Sequence, residues 1–190
     1  MNRRARSRLA EIGIRCLSRA LQESSRSLDS VPGLRSKDSQ ELPMIYLHPG
    51  QLAVSSESGV LTTVLGSCVS ICLWDRVRRV GGMNHFLLPF RAGEAQASTR
   101  FGNVATYRLL SELAALGCER EDLRAKVFGG ACVLEAFRHE EHNLGQQNVE
   151  LARRLLKEAD IPVIAEDVGG RRGRRLIFNT DDGGVLSRLL

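Results

Sequence analysis

Cys68 and His85 are the residues of this chain whose types and setting are best suited to covalent chemistry. Cys68 closes the string TTVLGSC (62–68), directly after Gly66 and Ser67. A thiol just past a small-residue turn is accessible, and the backbone N–H groups beside it can face a developing oxyanion. Gly66 lets that turn adopt an unusual backbone conformation or come close to a ligand. His85 stands inside GGMNHFLLP (81–89), an otherwise apolar run. An imidazole in such a strand needs a partner. If the two segments pair, His85 can reach Cys68, and a Cys–His pair raises the thiolate fraction. Thr62 lies six residues before the cysteine, and its hydroxyl could orient the second ring nitrogen. That would complete a set of nucleophile, base and orienter. Plainer readings stay open from these residues alone. A lone cysteine is commonly a small buried hydrophobe, and a histidine in a strand can be a hydrogen-bonded core residue.

The remaining candidates read as structural. Five cysteines, Cys16, Cys68, Cys72, Cys118 and Cys132, are irregularly spaced and contain no CxxC pair. Neither a disulfide framework nor a zinc site is expected from them. Cys72 reads as core and Cys118 as incidental after a helix-ending glycine. His139 and His142 fall in a polar stretch and read as surface. Gly129-Gly130 and Gly169-Gly170 suit tight turns or close packing. The run RRGRR (171–175) reads as a solvated loop, with contact to an acidic surface as the alternative.

Strands and helices must hold the two residues in place. The Val-, Leu-, Ile- and Thr-rich runs 59–65 and 68–74 predict strands broken at Gly66-Ser67, and 80–89 predicts a third. Short strands are expected over 126–128, 161–168 and 174–179. Helical spacing over 101–116 runs through Val104, Leu109, Leu113 and Leu116. Asn143 caps a second predicted helix reaching about Ala159, with Val149, Ala152, Leu156 and Ala159 on one face. A strand-rich front half with two later helices predicts an α+β class: a layered sandwich of mainly antiparallel strands, in a single domain from 44 to 190.

Charge divides the chain at the same place. Residues 1–40 carry nine Lys/Arg against four Asp/Glu, so the whole net charge of +5 lies in that segment and the remainder balances. Residues 1–43 are expected to form a flexible basic leader and linker, with a short amphipathic helix over 9–21 as the alternative. The body shows no basic patch with interleaved aromatics, which argues against nucleic acid as a partner. No apolar run is long enough to span a bilayer and no secretory signal opens the chain. The protein is therefore expected in the cytoplasm, without membrane insertion.

TTVLGSCVSICLWD followed by GGMNHFLLP resembles the chemoreceptor glutamine deamidase family, CheD. That family carries a threonine, a cysteine six residues on, and a histidine seventeen residues after the cysteine. Thr62, Cys68 and His85 match. AKVFGGA (125–131), NLGQQNVE (143–150) and IPVIAEDVGGRRGRR (161–175) are similar to further family strings, so the resemblance covers roughly 44–190. Val64 and Cys132 stand where members commonly have Gly and Asn. The resemblance implies catalytic Cys68, His85 and Thr62, with the turn at Gly66 and Ser67 supporting the oxyanion. It implies hydrolysis of receptor glutamine side chains to glutamate, with no metal or organic cofactor. Implied partners are the cytoplasmic domains of methyl-accepting chemoreceptors and a CheC-like phosphatase. A non-catalytic adaptor binding either partner is the alternative function, and another Cys–His acyl-transfer enzyme the alternative chemistry.

Overall fold

The computed structural model describes residues 42–90, 98–133 and 143–190, so the expectations for the leader and for His139 and His142 lie outside the described residues. Nine strands and two α-helices are present among them. In chain order the strands are β1 (Met44–Tyr46), β2 (Leu52–Ser55), β3 (Val60–Leu65), β4 (Val69–Asp75), β5 (Val80–Asn84), β6 (Leu123–Gly129), β7 (Val163–Val168), β8 (Arg174–Asn179) and β9 (Val185–Leu189). Helix α1 (Gly102–Ala115) lies between β5 and β6, and α2 (Leu144–Glu158) between β6 and β7.

Two sheets form, with strand orders β1-β3-β8-β9 and β2-β5-β4-β6-β7. The ladders are antiparallel except for β1 with β3 and β6 with β7. Strand alternation explains the layering, because successive side chains point to opposite faces. On β4, Val69, Ile71 and Leu73 pack with Ala105, Leu109, Leu113, Val149, Ala152 and Leu156 of the helices. Cys68, Cys72 and Trp74 point the other way, toward Leu61, Leu65, Leu176 and Phe178 of the facing sheet. The layers are thus sheet, sheet and helices. The expected α+β sandwich of mainly antiparallel strands is the fold observed.

Helix α2 begins as the sequence indicates. Asn143 accepts from the Gln146 amide at 3.1 Å while the Gln146 side chain accepts from the Asn143 amide at 3.3 Å, a reciprocal capping box. Its buried stripe holds Val149, Ala152 and Leu156, with Gly145 and Asn148 on the same side. Helix α1 buries Leu109 and Leu113 of the expected face, while Val104 is only partly buried. Ala105, Leu109 and Leu113 are buried, whereas Leu116 is 41% exposed because it lies past the last helical turn.

The third predicted strand stops early. Its ladder with β4 ends at Met83, opposite Cys72, and the strand ends one residue on at Asn84, whose Oδ1 accepts from the Ile71 amide at 2.9 Å. The Ser70 hydroxyl donates to the Asn84 carbonyl. Beyond that point the backbone meets β4 once more, where Val69 and Phe86 exchange hydrogen bonds of 3.1 and 3.0 Å.

The RRGRR run is not wholly a solvated loop. Arg171 and Arg172 are exposed, but Arg174 is 2% exposed. Its guanidinium donates to the Asp167 carboxylate and to the Asp167 and Gly169 carbonyls. Ser187 holds the other carboxylate oxygen at 2.6 Å. A buried guanidinium needs such partners, since an unpaired charge in the interior is costly. The clamp fixes the turn at Gly169-Gly170, whose Gly170 carbonyl accepts from the Cys132 amide at 2.9 Å.

Candidate active site

Strand pairing brings Cys68 and His85 to one face. Val69 is bridged to Phe86, and Cys68 and His85 each stand one residue from that bridged pair. Successive residues of an extended strand point to opposite faces, so both side chains turn away from the face of Val69 and Phe86. Both face the gap between the sheets, where Cys68 packs against the inter-sheet cluster.

The orienting hydroxyl is not the one expected. Thr62 faces away from the inter-sheet gap, and its hydroxyl donates to the Leu176 carbonyl at 2.8 Å. Thr63 is on the inner face, between Leu61 and Leu65, and its Oγ1 lies 2.8 Å from His85 Nδ1. The period of two along β3 makes this unavoidable: adjacent residues cannot share a face. The assignment of Thr62 as the residue on His85 is therefore corrected to Thr63.

The Thr63 contact also fixes the tautomer. Thr63 Oγ1 lies 2.7 Å from the Leu47 carbonyl. A carbonyl only accepts, so the single hydroxyl proton goes to Leu47. Oγ1 is then left to accept, and His85 Nδ1–H donates to it. The Leu47 carbonyl stands 3.5 Å from Nδ1 on the same side. The proton on Nδ1 leaves Nε2 as a free lone pair. Nε2 is buried and has no hydrogen-bond partner among the described residues. Burial pushes the His85 pKa below its ordinary value of 6.5; the Leu47 carbonyl opposes this and the nearby charge of His48 adds to it. His85 is thus a neutral imidazole at neutral pH with its basic nitrogen uncommitted.

The turn before Cys68 is gripped by its carbonyls. The Gly66 carbonyl accepts from the Ala131 amide and the Cys68 carbonyl from the Gly130 amide, each at 2.8 Å. The Ser67 carbonyl accepts from Asn148 Nδ2 at 3.0 Å. A trans peptide aims its N–H opposite its C=O, so the amides of Ser67 and Cys68 point away from these partners. No backbone carbonyl of the described residues accepts from either amide. Burial raises the Cys68 thiol above its ordinary value of 9.0, and the Cys68 amide, which can donate to the thiolate, lowers it in part. At rest Cys68 is a thiol and His85 a neutral imidazole.

Close approach at this turn is provided by glycines other than Gly66. Gly66 is not in the left-handed region, and an added Cβ would meet only Val133 at 3.4 Å, an ordinary contact. The expected conformational freedom belongs instead to Gly129, at φ +106, where a Cβ would fall 2.2 Å from the Cys68 carbonyl oxygen. Gly145 of α2 seats the helix on this same turn, since a Cβ there would lie 2.3 Å from the Gly130 carbonyl oxygen.

The other described cysteines form no disulfide and are differently placed. Cys72 is buried and its pKa is raised by that burial. Burial, with a hydrogen bond to Asp75, pushes the Cys118 thiol up to about 12. Cys132 is partly buried beside the Gly169-Gly170 turn. A separate cavity of about 120 Å³ is lined by Cys72, Trp74, Lys126 and Phe178, and includes neither Cys68 nor His85. No group of three or more His, Cys, Asp or Glu among the described residues is arranged to hold a metal ion. No described helix is long and apolar enough to cross a membrane.

Two site residues escaped the sequence reading. Thr63 was legible in principle, as the polar position between two inward leucines. Asn148 lies on the apolar stripe of α2 and is 0% exposed; an amide among Val149, Ala152 and Leu156 was the available signal.

The fold and this site define a two-sheet sandwich, helices on one outer face, with a thiol and a free imidazole nitrogen turned into the gap between the sheets. The family model described as CheD chemotactic sensory transduction matches residues 87–189. A probable chemoreceptor glutamine deamidase CheD 1 from Anaeromyxobacter dehalogenans (strain 2CP-C) is 56% identical over 146 residues, 77% of this chain and 84% of the relative. A probable chemoreceptor glutamine deamidase CheD from Trichlorobacter lovleyi is 45% identical over 150 residues, 79% of this chain and 92% of that protein. One from Rhodospirillum rubrum is 46% identical over 150 residues, 78% of this chain and 84% of that protein. The chain belongs to the CheD family.

Proposed function

We propose that this protein hydrolyses glutamine side chains of chemoreceptor cytoplasmic domains to glutamate, with Cys68 as nucleophile and His85 as general base and acid. The observation that carries this reading is the free Nε2 of His85, set by the Thr63–Leu47 relay on the face that Cys68 shares.

Each step balances with these groups. The Cys68 thiol gives its proton to His85 Nε2 as sulfur attacks the side-chain carbonyl carbon. The tetrahedral oxyanion faces the amides of Ser67 and Cys68. The C–N bond then breaks, and His85 passes the proton to the leaving nitrogen, which departs as ammonia. A thioester remains. Water attacks it, His85 takes a proton from that water, and the C–S bond breaks with the proton returned to sulfur. The sum is amide plus water giving carboxylic acid plus ammonia. His85 alternates as acceptor and donor, and its depressed pKa keeps the acceptor form ready.

We place the reaction in the cytoplasm, where reducing conditions keep Cys68 a thiol. A CheC-like phosphatase is a second partner in this reading, through the family resemblance. The test is mass spectrometry of a receptor cytoplasmic domain incubated with the protein. The expected result is a gain of about 1 Da at particular glutamines, the replacement of NH2 by OH through the thioester. Unchanged glutamines in several receptors, with phosphatase or receptor capture intact, would favour the adaptor function instead.

Thr63 and Thr62 give a paired prediction. Thr63→Val keeps the shape but removes the acceptor for His85 Nδ1–H, and kcat is expected to fall about tenfold, the worth of one buried hydrogen bond. Thr62→Val, on the outer face, is expected to leave kcat within about twofold, at most trimming stability through the lost bond to Leu176. Steady-state kinetics on a receptor fragment distinguish the two. The reverse ranking would return the orienting role to Thr62.

A further inference from the structure

We propose that Asn148 is a positioning residue that sets the placement of Cys68 relative to His85 by tying the nucleophile turn to the histidine strand. The inference rests on the deamidase reading of the site, but the tie itself is a matter of geometry.

Asn148 is 0% exposed on the second turn of α2. Its Nδ2 carries two protons, and each has a carbonyl. One goes to Ser67, the residue before the nucleophile, at 3.0 Å. The other goes to Leu87, two residues after His85, at 2.9 Å. A planar amide with both donors engaged holds those two carbonyls at a fixed spacing.

The tie sits where the sheet no longer does this work. After the hydrogen-bonded pair Val69–Phe86, a regular antiparallel ladder would next join Ser67 to Leu88. Leu88 N–H donates instead to Arg100, as does Leu87 N–H, at 3.1 and 2.9 Å. The strands therefore part at the position of Cys68, and Asn148 spans the opening. Two neighbouring features seat the helix that delivers it. The Asn143–Gln146 box fixes its start, and Gly145 lets its first turn lie against the Gly129-Gly130 turn. Asn148 Oδ1 has no partner among the described residues, so the two donor bonds alone orient the amide.

Small displacements of a nucleophile from its base cost rate steeply. Asn148→Ala and Asn148→Asp both remove the donors; the second keeps the shape and sets a carboxylate against two carbonyls. The measurements are kcat and KM on a receptor fragment, and peptide-resolved iodoacetamide labelling of each cysteine at fixed pH. The expected result is a fall in kcat of roughly 10- to 100-fold with KM within about twofold. Labelling of Cys68 should rise severalfold as its turn loosens, while Cys72 and Cys118 stay protected. Opposed changes in turnover and thiol accessibility are what a positioning role demands. Unchanged kcat and unchanged Cys68 labelling in either variant would overturn the proposal. So would labelling of Cys72 and Cys118 in both variants, which would make Asn148 a residue of general stability. If the wild type shows no deamidation yet Cys68 labelling responds as expected, the tie stands and the proposed reaction fails.

Discussion

Cys68→Ala is expected to abolish ammonia release from receptor glutamines, by about 10⁴-fold or more, while leaving the fold intact. The loss is large because the thiol forms the bond that replaces C–N; without it His85 and the turn amides have nothing to act on. Stability should change little. Cys68 packs at the margin of the inter-sheet cluster and is only partly buried, so removing one sulfur atom leaves a small, partly solvated gap. The parallel variants Cys72→Ala and Cys132→Ala make the result specific. Cys72 is buried with a strongly raised pKa, and its replacement should retain turnover. Cys132 is held by its backbone to Gly170 and should likewise be dispensable for the chemistry. Quantifying ammonia and the about 1 Da mass gain in all three variants decides the matter. Substantial turnover by Cys68→Ala would remove Cys68 as nucleophile.

Much of the framework was legible because it follows from periodicity. The central strands β3, β4 and β8 were found to within about a residue, since β3 and β4 are runs rich in β-branched and aliphatic residues and β8 holds the short apolar run Leu176-Ile177-Phe178 between a glycine and a polar break. The start of α2 was legible from Asn143 alone. The strands that went unseen, Met44–Tyr46, Leu52–Ser55 and Val185–Leu189, are all sheet edges. An edge strand has one neighbour and one row of ladder bonds, so it can be short and mixed in polarity without a sequence signature. At the site, the turn before Cys68 and the apolar setting of His85 marked each as a candidate, and the family resemblance joined them as a pair; strand alternation turns both to one face. Thr62 was read from its distance to Cys68, and distance along the chain says nothing about face. Alternation does, and Leu61 and Leu65 as inward residues required that Thr63 point to His85. Asn148 was hidden for a different reason. Its role depends on two carbonyls, 81 and 61 residues away in the chain, and backbone acceptors leave no trace in residue identity. The same holds for Arg174, which reads as solvated beside the three other arginines of its run yet is buried against the carbonyls of its own loop.

His85→Gln is expected to lower kcat/KM by about 10²- to 10⁴-fold, the span for loss of a positioned general acid–base group. Glutamine retains a polar end in the buried space but cannot accept a proton. The pH profile separates this from a packing defect. In the wild type the working form pairs a neutral imidazole with a thiol, and protonation of His85 ends it. Burial, partly offset by the Leu47 carbonyl, holds the imidazolium form below the ordinary 6.5. Lowering the pH therefore reduces kcat/KM only once it passes below that value, and the rate is level across neutral pH. In His85→Gln that acid limb should disappear. The residual rate should instead climb with pH, because the thiol must now ionise without help. Its pKa is raised above 9.0 by burial, so the climb belongs to the alkaline range. A profile for the variant that keeps the wild-type acid limb would assign that limb to another group and remove His85 as the base. Loss of the limb together with an alkaline rise would mean that His85 supplies the proton acceptor that a buried, un-ionised thiol cannot do without.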